Sequence, residues 1–89
     1  MVLYVRKNGR KESRLGLTVS TKVGKAVVRN RTRRRLREVY RTHEDKLCPG
    51  YDVVVVARVR AAHSRYQVLE KDFLKLAGKV DLLKKEKQG

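Results

Sequence analysis

The chain is poor in cysteine, in long apolar runs and in acidic residues, and each shortage excludes a class of protein. Its single cysteine, Cys48, cannot form a disulfide within the chain, which favours a reducing compartment. No stretch approaches the run of about 18 apolar residues that a membrane span needs. Residues 1–5 are too few, and too soon followed by charge, to serve as a signal peptide. We therefore expect a soluble, cytoplasmic protein that does not span a membrane.

The residue sets that carry protein-borne catalysis are missing as well. His43 and His63 are isolated in the sequence and Cys48 has no second cysteine, whereas a zinc site needs several ligands together. Glu44 and Asp45 are adjacent, so we expect their side chains to point apart into solvent. The sequence has neither a glycine-rich phosphate loop nor a suggestively spaced Ser/His/Asp set. We expect no catalytic residue, and no metal or cofactor bound by the protein alone.

What the chain has in excess is positive charge. Its 89 residues, enough for one small domain, include 24 lysines and arginines against 9 acidic residues, and the net charge is +15. This imbalance makes the compact state repel itself, so we expect an anionic partner. Nucleic acid is the first candidate, and an anionic membrane surface is the second.

Two short strands are predicted at the start of the chain. Residues 2–5 are rich in β-forming side chains, and Asn8 and Gly9, in the charged stretch that follows, are typical of a hairpin connection. Residues 14–20 alternate with a period of two. One face of this strand is apolar and carries Leu15, Leu17 and Val19.

The apolar period becomes helical over residues 24–42. A helix turns 100° per residue, which places five residues in one narrow stripe along its surface. They are Val28, Thr32, Leu36, Val39 and Tyr40. Arginine occupies nearly all of the remaining surface. After a turn at residues 48–50, residues 52–60 begin with a valine run and are predicted to form a central strand buried on both faces. Arg58 and Arg60 would lie on one face near its end.

The chain is predicted to close with a second amphipathic helix. Ser64 and Gln67 have the spacing of a capping box. The helix that they open carries one apolar side, formed by Leu69, Phe73, Leu76, Ala77 and Val80. The order β-β-α-β-α indicates an α+β sandwich, and the strands flanking the first helix should be parallel if they are neighbours. We expect residues 1–83 to form a single RNA-binding domain and residues 84–89 a charged tail.

The first helix carries the strongest functional signal. Residues 22–41 contain nine basic side chains and a single acid, Glu38. A solvent-exposed helix normally carries charges of both signs, because each pair of like charges four residues apart destabilises the helix by about a few tenths of a kcal/mol. Arginine prevails over lysine here, and its planar fork binds phosphate and stacks on bases, which favours nucleic acid. Asn30 is open to two interpretations: it bonds a base or ribose, or it bonds the local backbone.

The same segment resembles a known family signature. Residues 22–37, KVGKAVVRNRTRRRLR, closely resemble the motif K-x-G-x-A-V-x-R-N-R-x-K-R-x-x-R of the bacterial ribonuclease P protein subunit, with Arg33 where lysine is usual. Residues 14–20, RLGLTVS, are similar to the preceding strand of that family, R-x-G-x-x-V-S, and residues 51–58 to the following strand. The resemblance covers nearly the whole chain.

The resemblance implies a protein that binds the catalytic RNA of ribonuclease P and assists recognition of precursor tRNA. The holoenzyme removes the 5′ leader of that tRNA by a hydrolysis that the RNA performs, with magnesium at the RNA. The resemblance also implies a left-handed βαβ crossover, where handedness statistics alone predict a right-handed one. The expected contacts with the catalytic RNA are Lys22, Lys25, Arg29, Asn30, Arg31, Arg33, Arg34 and Arg37.

Substrate contacts are expected on the sheet. Full-length members of the family carry a helix and a first strand ahead of residues 2–5, and aromatic side chains on that helix help line the leader cleft. We expect this segment to be absent here. The candidate leader contacts that remain are Thr18, Ser20, Arg58 and Arg60. Tyr4 and Tyr66 are each open to two interpretations, contact with RNA and packing within the protein.

Other functions fit the residues less well. A ribosomal or ribosome-associated RNA-binding protein without a role in cleavage is the alternative. A DNA-binding protein would need a helix-turn-helix pair or a dimer interface, and the sequence predicts neither. A membrane-surface protein would want a large apolar face, and the basic helix has only a narrow stripe.

Overall fold

A computed structural model describes residues 1–84 of the chain. Within this range lie three strands and three helices: β1 (Val2–Lys7), β2 (Arg14–Val19), α1 (Ala26–His43), β3 (Tyr51–Ala57), α2 (Val59–Ala62) and α3 (Tyr66–Lys79). Short 3-10 turns at Thr21–Val23 and Glu44–Lys46 flank α1. The predicted α+β class and the order β-β-α-β-α are confirmed, with α2 as an additional single turn.

The valine-rich strand β3 is central, as predicted, in a sheet of order β1-β3-β2. β2 pairs with β3 in parallel, so the predicted parallel β2-α1-β3 unit is confirmed, whereas β1 pairs with β3 antiparallel. The handedness of the crossover stays a prediction from the family resemblance.

The predicted hairpin between the first two strands is wrong. β1 and β2 each pair with β3 and not with each other, so residues 8–13 cross over the start of β3. Asn8 organises this crossing, since its N–H donates to the Gly50 oxygen at 3.0 Å and its Oδ1 accepts from the Arg10 N–H at 2.7 Å. Asn8 does mark a turn, but a local turn signal does not specify which strands become neighbours.

The helices cover one face of the sheet, with α1 against β2 and α3 against β1. The predicted stripe of α1 is buried from Thr32 onward and extends to His43, while Val28 is half-buried. On α3, Leu69, Phe73 and Ala77 are buried, and the other two predicted residues of that stripe are half-buried. The Tyr40 and Phe73 rings meet edge to face, with centroids 6.3 Å apart, and join α1 to α3 in the core.

The opposite face of the sheet is uncovered within residues 1–84, so the prediction that β3 is buried on both faces is wrong. Val54 of β3 is 37% exposed, and Tyr4, its partner on β1, is 60% exposed. The strand register places three rows of side chains across this open sheet face: Arg6–Asp52–Arg14, Tyr4–Val54–Gly16 and Val2–Val56–Thr18.

β3 ends three residues before its predicted end at residue 60. The sheet has its edge at this level, because β1 begins at Val2, the partner of Val56, and β2 ends at Val19, the partner of Ala57. The chain therefore leaves the sheet, and α2 buries two alanines instead. Arg58 lies before α2 and Arg60 lies within it, so neither is a strand residue as predicted.

The predicted capping box of the last helix is also wrong. Arg65 occupies the N-cap position, and it makes no capping hydrogen bond through its side chain. The Ser64 hydroxyl donates instead to the Arg60 oxygen at 2.7 Å. Serine can bond the carbonyl four residues back as readily as it caps a helix, and here the preceding turn α2 offers that carbonyl.

The segment after α3 returns to the loop after α1. The Lys84 N–H donates to the Lys46 oxygen at 2.8 Å, and the Cys48 N–H donates to the Leu82 oxygen at 2.7 Å. Apart from Lys84, the predicted tail at residues 84–89 lies outside the described range. The single RNA-binding domain over residues 1–83 stays a prediction.

Candidate RNA interface

The arginines of α1 divide into two sets by exposure. Arg31, Arg34, Arg37 and Arg41 are exposed, whereas Arg29, Arg33 and Arg35 are half-buried at the margins of the packed stripe. Since that stripe faces the sheet and α3, charge covers the helix on all its remaining sides. We call this surface the arginine face of α1. It brings six of the eight predicted RNA contacts onto one rigid element, and the other two, Lys22 and Lys25, just precede it.

The N-terminus of α1 is arranged for an anion. Lys25 is the N-cap residue and makes no capping hydrogen bond through its side chain, and the first turn contains no acid. The first backbone N–H groups of a helix have no partner within the helix, and the dipole adds positive potential there. Cations at this end are therefore unfavourable in the free protein, and a bound phosphate relieves both effects.

A tight turn leads into this helix end. The Ser20 hydroxyl accepts a hydrogen bond from the Lys22 N–H at 3.2 Å and holds the 3-10 turn. Gly24 follows with φ of +146°, a conformation that favours glycine over other residues. This requirement gives the glycine of the sequence motif a structural reason, because the turn sets the position of Lys22 and Lys25 beside the first turn of α1.

The half-buried arginines are partly held by the protein itself. Arg33 Nη1 donates to the Asn30 side-chain oxygen at 3.2 Å, and Arg35 Nη1 donates to the Ser64 oxygen at 3.4 Å. The Asn30 side-chain oxygen thus bonds a neighbouring side chain and not the local backbone, and its contact with a base or ribose stays a prediction. Arg29 Nε is buried and has no hydrogen-bond partner among the described residues. Such a buried donor normally finds an acceptor.

The four candidate leader contacts fall in two places. Ser20 and Arg58 line a shallow hollow with Lys22 at the carboxyl ends of β2 and β3, and the Ser20 N–H donates to the Ala57 oxygen at 3.3 Å. Thr18 lies next to this hollow, paired with Val56. Arg60 is elsewhere, in a hollow that also involves α3. The structure therefore groups three of the four and separates Arg60 from them.

An ion pair on the open sheet face was not predicted from the sequence. Arg14 donates from Nε and Nη2 to the two carboxylate oxygens of Asp52, both at 3.0 Å, and Asn8 Nδ2 donates to Asp52 Oδ1 at 3.1 Å. These hydrogen bonds, that of Arg14 first, lower the pKa of Asp52 from 3.8 to about 2. The pair neutralises one of the two arginines in its row and leaves Arg6 as the free cation there among the described residues. Only the strand register brings these distant residues together.

Two further observations concern other kinds of site. Among residues 1–84, His, Cys, Asp and Glu side chains nowhere form a group of three that would hold a metal ion. In the same range, no helix has the length and apolar character needed to cross a membrane.

The fold and the arginine face together define a small α+β protein of the RNA-binding class. A family model described as Ribonuclease P matches residues 1–81. The ribonuclease P protein component of Clostridioides difficile is 41% identical over 83 residues, which cover 92% of this chain and 73% of that protein. That of Natranaerobius thermophilus is 41% identical over 85 residues, covering 96% and 74%.

Solved structures agree with the sequence matches. The ribonuclease P protein of Staphylococcus aureus superimposes with a TM-score of 0.81 at 26% identity, covering 92% of this chain and 75% of that one. The protein from Thermotoga maritima gives a TM-score of 0.79 at 32% identity, covering 86% and 74%. The chain belongs to the ribonuclease P protein family, whose protein component is a subunit of an endoribonuclease. These matches speak against the ribosomal alternative.

Proposed function

We propose that the arginine face of α1 binds the catalytic RNA of ribonuclease P, and that the open sheet face and its strand ends contact precursor tRNA. The hydrolysis that removes the 5′ leader takes place in the RNA, where magnesium is held. The protein supplies binding and orientation. The family membership supports the first partner, and the location of Ser20 and Arg58 at one end of the sheet supports the second.

The observation that carries the proposal is the uncompensated charge of α1. Its single acid, Glu38, faces seven arginines, and the residues at its N-terminus add two lysines where the dipole disfavours them. A helix with this charge distribution is more stable against a polyanion than in water. Arginine also gives bidentate geometry on phosphate, which a general attraction to charge does not need.

Binding of this kind is dominated by counterion release. If about six to eight cations neutralise phosphates, the logarithm of the affinity against the logarithm of the salt concentration should have a slope of about −4 to −7. Each exposed arginine that contacts a phosphate contributes about one to the slope.

The test is the salt dependence of binding to a bacterial ribonuclease P RNA for the wild type and for Arg29→Ala, Arg31→Ala and Arg34→Ala. We expect weaker binding and a slope smaller by about one in each variant. Lys71→Ala removes one exposed cation from α3 and serves as the matched control, with an unchanged slope expected. An unchanged slope in all three arginine variants would exclude α1 as the contact surface.

The substrate part has a separate readout. Arg58→Ala in the reconstituted ribonucleoprotein should raise KM for precursor tRNA and leave the affinity for the catalytic RNA alone unchanged, because Arg58 lies at the sheet end and not on α1. Arg60→Ala should have a smaller effect, since Arg60 lies in a different hollow. An effect on RNA affinity equal to the effect on KM would place Arg58 in the RNA interface instead.

The open sheet face adds a stacking surface to this proposal. Tyr4 is 60% exposed in the middle row of that face, next to Val54, so its ring is available to a base. Tyr66, the other residue left open by the sequence, is half-buried and packs against the core. We therefore place Tyr4, and not Tyr66, among the substrate contacts.

A further inference from the structure

A groove runs between β2 and α1, on the helix-covered side of the sheet and away from the open sheet face. α1 does not cover β2 completely, and Leu15 and Leu17 are only half-buried although they face the helix layer. The groove has a volume of about 470 Å³ and is open to solvent along its length. We call it the β2–α1 groove.

The two long sides of this groove differ in chemistry. Leu15 and Leu17 form an apolar floor along β2. Arg33, Arg37 and Arg41, spaced four residues apart on α1, form a cationic rim along the other side. Arg33 Nη1 donates to the Asn30 side-chain oxygen at 3.2 Å, and this hydrogen bond favours one orientation of the guanidinium on the rim.

The two ends of the groove differ as well. α1 runs back along β2, as a helix joining two parallel strands must, so Arg33 lies towards the Leu17 end and Tyr40 and Glu44 lie towards the Ser13 end. Glu44 is the acid of the groove, and it helps raise the pKa of Tyr40 beyond the effect of burial. A phosphate is therefore favoured near Arg33 and Arg37 and disfavoured near Glu44.

We propose that the β2–α1 groove holds one unpaired nucleotide of the catalytic RNA, with its base on the leucine floor and its phosphate on the arginine rim. This rests on the proposed function, which supplies the RNA. A duplex would reach the rim through its phosphates but would keep its bases stacked away from the floor. An apolar floor beside a cationic rim matches a base and phosphate presented together, as in single-stranded recognition.

Glu44 favours a base edge over a phosphate at its end of the groove. An ionised carboxylate accepts hydrogen bonds and donates none. It can accept from the exocyclic amino group of adenine, cytosine or guanine, or from the N3–H of an unpaired uracil. The base is therefore expected to point towards Glu44 and the phosphate away from it.

The test compares two matched variants by chemical probing of base reactivity in ribonuclease P RNA. Leu17→Thr keeps a strand-forming residue and removes part of the apolar floor, and Leu74→Thr makes the same change at a half-buried leucine of α3. The wild type and Leu74→Thr should protect one or two unpaired nucleotides. In complexes with Leu17→Thr these nucleotides should return to the reactivity of free RNA, and the dissociation constant should rise by about fivefold.

Folding and the basic helix are controlled separately. Circular dichroism establishes that each variant is folded, and Arg41→Gln, an exposed change on the rim, should weaken protection of the same nucleotides. Leu17→Thr removes no charge, so the slope of the logarithm of the affinity against the logarithm of the salt concentration should stay that of the wild type. Loss of this slope would contradict the proposed role of α1 and not that of the groove. Identical base protection in Leu17→Thr, Arg41→Gln and Leu74→Thr complexes would overturn the proposal.

Discussion

Gly50 has a conformation and surroundings that exclude a side chain. Its φ is +83°, and a Cβ there would lie 2.8 Å from the Arg10 backbone oxygen. Gly9 has φ of +71° but nothing within 4 Å of the corresponding Cβ. The two glycines therefore separate the cost of the backbone conformation from the cost of a steric clash, at the place where residues 8–13 cross the turn before β3.

Gly50→Ala should lower the free energy of unfolding more than Gly9→Ala. Gly9→Ala adds only the strain of a left-handed residue, about 1 kcal/mol. Gly50→Ala adds the displacement of a backbone carbonyl that the crossing uses, for a total of at least about 2 kcal/mol. Urea unfolding of the two variants measures the difference, and equal losses would mean that the crossing shifts freely to make room.

Asp52 predicts a pH dependence of stability. Its pKa is lowered from 3.8 to about 2 in the folded protein, chiefly by Arg14 and then by Asn8, and returns to its ordinary value on unfolding. The ionised carboxylate therefore favours the folded state above about pH 4, and this contribution is lost as the pH falls through about 2.

Comparing the wild type with Asp52→Asn by urea unfolding from neutral pH to pH 2 isolates this effect. The wild type should be the more stable protein at neutral pH, and its advantage should shrink between about pH 4 and pH 2. A difference that stays constant with pH would show that Asp52 acts through packing and not through its charge.

At the scale of elements, the local signals in the sequence predicted the helices and the surfaces they expose. The apolar stripe of α1 and its arginines share one helical period, so both could be read from residues 24–42. The stripe of α3 from Leu69 to Ala77 was predictable for the same reason. These are the parts of the fold and the site in which neighbours in sequence are also neighbours in space.

Pairing between distant segments could not be read in this way. Asn8 and Gly9 indicated a hairpin, but the valine run of β3 offered both preceding strands a better partner and separated them. The Arg14–Asp52 pair joins residues 38 positions apart and follows from that register. The β2–α1 groove depends on how far α1 covers β2. The period of the apolar residues along the sequence does not predict this.

The charge pattern of α1 makes a prediction about the free protein. Arg37 is exposed and has Arg33 and Arg41 four residues away on either side. Arg37→Glu turns two repulsive pairs into attractive ones, so the free protein should gain about 0.5–1 kcal/mol in free energy of unfolding, while binding to ribonuclease P RNA weakens. Thermal unfolding at low salt measures the gain.

Arg37→Gln, which only removes the repulsion, should give about half of that gain. High salt should remove most of the difference between the variants, since exposed charges are screened. A loss of stability in Arg37→Glu would mean that the arginines of α1 do not repel one another in the free protein. It would contradict the inference that they require an anion.

At the scale of the whole molecule, the described residues present two surfaces of different character. The arginine face of α1 is helical and strongly cationic, and it carries the family motif. The open sheet face mixes apolar, aromatic and charged side chains in three rows. This division suits a protein that is anchored to one RNA and leaves a second surface for another.

The most direct measurement is reconstitution with a bacterial ribonuclease P RNA, following removal of the 5′ leader from a precursor tRNA at low magnesium. We predict that the wild type stimulates cleavage and that the double variant Arg29→Ala/Arg31→Ala loses most of this stimulation while remaining folded. A wild type that does not bind the RNA at moderate salt, or a double variant that stimulates cleavage as well as the wild type, would contradict it.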